Sequence, residues 1–87
     1  MPAFDMAAFD RALEPVVGTL TTDQARQVAE HRGDDLLQAR IEQLAEKSNE
    51  GSLTEQERDE YAGYVQANKF VAILQAQARK LLERRQP

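Results

Sequence analysis

Apolar residues in this chain recur at intervals of three and four, period-two alternation is absent and β-branched residues are scarce. That periodicity predicts amphipathic helices and no strands. In the first helix Phe9, Ala12, Leu13 and Val16 share a face, Asp5 is placed to cap it, and Phe4 with Phe9 forms a hydrophobic staple. Pro15 biases Glu14 out of the helical region, so this helix is expected over 5–14. Thr21 and Gln24 form a capping box that opens a second helix over 22–32 through Ala25, Val28 and Ala29, with Gly33 closing it. Asp35 with Gln38 opens the third, where Leu37, Ile41, Leu44 and Ala45 are apolar and Glu42, Gln43, Glu46 and Lys47 turn outward. The fourth runs from Glu55 to about Arg85 with no proline and only Gly63 as a weak point. At 1.5 Å per residue it spans roughly 45 Å, long enough to extend past the body or to meet a second subunit. The expected architecture is all-α, a single domain over 1–87 of about four helices. It is built on a helical hairpin over 35–85 that turns near 48–54.

The turn carries the sharpest local signals. Gly51 suits the left-handed position just after a helix. Thr54 followed by Glu57 makes a second capping box, which starts the last helix almost as soon as the third stops. The same residues admit a calcium reading. With Glu46 as position 1 of a twelve-residue loop, Ser48 falls at 3, Glu50 at 5, Gly51 at 6, Leu53 at 8, Thr54 at 9 and Glu57 at 12. The glycine, the apolar residue and the terminal glutamate sit where an EF-hand needs them. Position 1 is a glutamate instead of the short aspartate that folds back toward the ion, and no second loop exists to pair with this one. A helix stop plus a capping box accounts for these residues without a metal.

Composition narrows the function classes. With 87 residues and no cysteine, the chain has no disulfide, thiolate metal site or cysteine nucleophile. A core this small often gains stability by association. A net charge of -4 argues against direct nucleic-acid binding, which calls for excess Lys and Arg. No apolar run reaches the roughly 18–20 residues of a membrane span. Asp5 and Asp10 lie where a signal peptide carries basic and apolar segments. A cytoplasmic protein without a cofactor is the expectation.

Catalytic constellations are sparse. Arg26 and His31 match the Arg-x4-His spacing of HEPN-type ribonucleases, but two residue types at one spacing recur by chance, and a histidine at a helix end is better explained by nearby carbonyls. One histidine and scattered carboxylates do not make a zinc ligand set. The chain is therefore expected not to be an enzyme. In the last helix Glu55, Glu57, Asp59 and Glu60 crowd the first turns and Arg79, Lys80, Arg84 and Arg85 the last, which complements the helix dipole. A basic tail contacting an acidic partner or phosphates is the functional alternative. Phe70-Val71-Ala72-Ile73-Leu74 is apolar on every side of its helix, and such a helix is expected to be buried all round. Either the domain folds over both faces, or one face is kept for another chain. On the second reading Tyr64, Phe70, Ile73, Leu74, Gln77 and Leu81 are the expected partner-binding residues, for a protein partner or for self-association.

Gln38 to Thr54 (QARIEQLAEKSNEGSLT), Glu57 to Tyr61 (ERDEY) and Ala72 to Arg79 (AILQAQAR) carry a resemblance. These blocks resemble a family of small bacterial all-helical proteins often encoded beside a small HNH-type endonuclease. The similarity covers residues 38 to 82, about half the chain. It implies an accessory or antitoxin-like partner of a nuclease; no catalytic residues carry over, because none are established for that family.

Overall fold

The computed structural model describes residues 5–86, which form four helices in chain order: α1 (Met6–Val17), α2 (Thr22–Glu30), α3 (Asp35–Asn49) and α4 (Glu55–Arg84). No strand occurs among the described residues. The fold class is all-α with a long C-terminal helix.

The helix ends follow local chemistry, with three corrections. Asp5 caps α1 by accepting from the Ala7 and Ala8 amides at 2.9 and 3.1 Å. The Phe4 half of the staple lies outside the described residues. Pro15 does not stop α1, which runs on to Val17. A proline one turn from the end removes a single intrahelical bond, and the buried Val17 side chain holds that last turn in place. Helix α2 has its capping box, Thr21 Oγ1 accepting from Gln24 N at 3.1 Å and Gln24 Oε1 from Thr21 N at 2.9 Å. It ends at Glu30 rather than at residue 32, because His31 turns extended. Helix α3 is capped by Asp34, whose carboxylate accepts from Leu37 N at 2.7 Å; Asp35 is its first residue.

The α3–α4 turn matches its prediction closely. Gly51 has φ +71°. Its amide donates to Ser48 O at 3.1 Å and that of Ser52 to Lys47 O at 2.9 Å, the two bonds of a Schellman stop. Thr54 Oγ1 accepts from Glu57 N, and Glu57 Oε1 from Thr54 N, both at 3.0 Å.

Tertiary contacts divide the chain into two compact units, Met1–His31 with Val71–Pro87, and Arg32–Phe70. Helix α3 thus shares a unit with α4 only as far as Phe70; from Val71 onward α4 belongs with α1 and α2. The first unit is cored by Val17, Ala25, Ala78 and Leu81, with Leu20, Val28, Ala29, Leu74 and Leu82 packed around them. Two of those four are alanines, so the helices that carry them approach closely. In the second unit Leu44 is the buried hydrophobe.

Candidate interaction groove

The α4 run that the sequence reads as buried all round is not buried. Every residue from Gln66 to Ala72 is exposed, and Phe70 and Val71 retain 42% and 37% of their surface. Ile73 and Leu74 are half-buried.

Val71 and Leu74 form one side of an open cleft of about 490 Å³ within the first unit. Leu20 and Val28 supply the other apolar side, and Gln24, Gln27 and His31 edge it. The lining has no Asp, Glu, Lys or Arg side chain. Such a surface takes up apolar side chains, at roughly 25 cal/mol per Å² removed from water.

Helix α4 holds α2 at both ends, which fixes the width of the cleft. The Gln75 amide nitrogen donates to Val28 O at 3.2 Å and to His31 O at 2.8 Å, joining the His31 amide on Val28 O at the end of α2. Ten residues further on, the Arg85 guanidinium donates to Leu20 O at 2.9 Å and to Thr22 Oγ1 at 3.4 Å, beside the start of α2. Nothing in the sequence marks Gln75 as special. Arg85 reads there as one of several dipole-complementing cations, and its contact shows only once the chain has folded back 65 residues.

The six expected partner-binding residues divide among different surroundings. Leu74 lines the groove. Ile73 is half-buried beside it in sequence, and Phe70 is exposed. Tyr64 lies in the second unit, its hydroxyl donating to Glu60 Oε2 at 2.9 Å. Gln77 and Leu81 are buried inside the first unit. The Gln77 amide nitrogen donates to Asp10 O at 2.6 Å and Asp10 Oδ1 at 2.7 Å, tying α4 to α1. Its Oε1 is buried with no hydrogen-bond partner. Val71, absent from the expected set, is the exposed apolar residue of the groove.

A smaller cleft of about 250 Å³ lies between α1 and the end of α4, lined by Asp10, Glu14, Gln77, Lys80, Glu83 and Arg84 among others. Its charges are mixed, and Arg84 and Glu14 face each other at 4.0 Å.

The other candidate residues have structural employment. Both carboxylate oxygens of Glu57 are engaged, Oε1 by Thr54 N and Oε2 by Lys47 Nζ at 2.5 Å. The Lys47 ammonium and then the Thr54 amide hold the Glu57 carboxyl at about 2, well below its usual value. A calcium ion at the turn would have to displace Lys47 and open the capping box. Arg40 clamps Glu60 with Nε to Oε2 at 3.0 Å and Nη2 to Oε1 at 2.8 Å. That guanidinium, followed by the Tyr64 hydroxyl, lowers the Glu60 carboxyl, while hydrogen bonding to Glu60 raises Arg40 and Tyr64. Arg26 pairs with Asp23 at 3.1 Å, and His31 lies one residue beyond α2. Among the described residues no group of three or more His, Asp or Glu could hold a metal ion, and no helix is long and apolar enough to cross a membrane.

No family model matches the chain, and no curated protein or solved structure matches it either.

Proposed function

We propose that this protein is a small non-catalytic interaction module whose α2–α4 groove receives the apolar side chains of another polypeptide. The observation that carries this reading is the exposed Val71 beside Leu74 and Val28 on a cleft with an almost uncharged lining. Apolar residues with a polar rim are what helix-in-groove recognition uses. The pins at Gln75 and Arg85 support it, because a groove held open before binding loses less on ordering when the partner arrives. The resemblance carried by the blocks at 38–79 implies a nuclease as the class of partner, with this chain as its accessory or antitoxin-like subunit, acting in the cytoplasm.

A photo-crosslinking residue at Gln24, on the groove edge, tests the reading in cells. One discrete adduct is expected, lost when Val71→Glu or Leu74→Glu is added while circular dichroism shows helicity unchanged. The purified chain should also bind a hydrophobic dye, and the same substitutions should abolish that binding. Absence of both adduct and dye binding would overturn the proposal.

A further inference from the structure

Helix α4 runs through both compact units, leaving the hairpin unit at Phe70 and entering the groove unit at Val71. Its side-chain bonds cluster toward its two ends. In the hairpin unit they stop at Tyr64, which bonds Glu60, and in the groove unit they resume at Gln75. Between those points Gln66, Asn68 and Lys69 make no side-chain hydrogen bond or ion pair among the described residues. Every residue from Gln66 to Lys69 is also exposed. Little besides its own backbone holds this turn of helix. Such a stretch is marginal in water, because most helical stability in proteins comes from packing one face against a neighbour.

The residue types in this part of α4 weaken it further. Gly63 lies inside the helix, where glycine is less favourable than alanine. Outside its own turn of helix, no heavy atom comes within 4 Å of the position a Cβ would take there. Packing therefore does not require the glycine. Asn68 is also among the poorer helix formers.

The two units differ in what they bury. In the hairpin unit Leu44 is the one buried residue among those described. The ion pairs beside it, Lys47 with Glu57 and Arg40 with Glu60, are partly exposed, and pairs of that kind add little. The groove unit buries Val17, Ala25, Ala78 and Leu81 in one cluster. Buried apolar area is the larger contribution, so the hairpin is the unit that opens at lower cost.

We propose that residues 63–69 of α4 form a joint, which opens locally and lets the Arg32–Phe70 hairpin unfold and refold as a cooperative unit of its own while the groove unit stays folded. Proteins open in contiguous units of this kind, and the least packed open first. Neither step requires a partner in the groove.

Native-state amide exchange of the full chain, read residue by residue by NMR, gives the test. The amides of residues 66–70 should exchange fastest within the body of α4. The slow amides of α3 should share a common rate, and those of Ala25 and Leu81 should be slower still. Gly63→Ala, at a position with room for the methyl, should slow exchange at residues 66–70 and across α3 by roughly two- to fivefold. It should leave Ala25 and Leu81 unchanged. Leu44→Ala should quicken exchange in α3 by more than about tenfold, again with no change at Ala25 and Leu81. Should that variant leave the hairpin unfolded, protection at Ala25 and Leu81 is still expected. A single rate shared by both units, or either substitution acting on both alike, overturns the proposal, because α4 is then one cooperative rod. Amides at residues 66–70 as protected as those flanking them overturn it too.

Discussion

Lys47 in the last turn of α3 and Glu57 in the first turn of α4 are joined at 2.5 Å, and the same glutamate closes the capping box with Thr54. One carboxylate thus both starts a helix and binds it to its predecessor. Each oxygen has its own donor, so the two roles do not compete.

Breaking the capping box should weaken the hairpin by a predictable amount. Thr54→Ala is expected to destabilise by roughly 0.5–2 kcal/mol, the usual cost of losing a threonine cap, read by chemical denaturation. The loss should be the same with and without calcium, since the carboxylate a calcium loop would need is already bonded on both oxygens. A calcium-dependent rise in melting temperature in the wild type would count against this structural role.

Acid should act on the same residue. The folded Glu57 carboxyl is held at about 2, against an ordinary value of 4.5. A group depressed in the folded state contributes stability that is fully present above its unfolded value and is lost as pH falls through its folded value. Stability should therefore decline from about pH 4.5 down to about 2. Lys47→Met should flatten that decline by removing the main cause of the depression. Glu60, lowered by Arg40, titrates in the same direction, so Arg40→Met should remove a further part. Melting temperature measured against pH for the three proteins checks both statements.

Gln75 should matter to α2 without touching any partner. Gln75→Ala removes the donor from Val28 O and His31 O and is expected to cost about 1 kcal/mol, as for a typical intramolecular hydrogen bond. The diagnostic is local: amide exchange should quicken in the last turn of α2 and stay unchanged in α3.

Core and groove residues on the same helix should separate cleanly. Leu81→Ala empties part of the buried cluster and should cost about 2–5 kcal/mol. Val71→Ala, at an exposed position, should change stability by no more than about 0.5 kcal/mol. Thermal melts of the two variants decide whether Val71 is available for binding or holds the fold.

The elements themselves were legible because their signals are local. The caps at Asp5, Thr21 and Thr54 and the left-handed turn at Gly51 depend on residues within a few positions of one another, and the structure has each of them. Where the reading at Pro15 failed, a contact overrode propensity: burial of Val17 holds one more turn than the backbone bias alone would keep.

What the sequence by itself determined was helix type, the order of four helices and most of their starts, since capping and 3.6-residue periodicity act within a single turn. Tertiary structure alone decided which faces meet. Periodicity shows that Val71, Leu74, Ala78 and Leu81 are apolar but not that Ala78 and Leu81 pack on Val17 and Ala25 while Val71 stays open. Nor can it show that Gln75 and Arg85 reach back 44 to 65 residues to hold α2. Such contacts depend on how the chain returns on itself, and that depends on every helix packing at once.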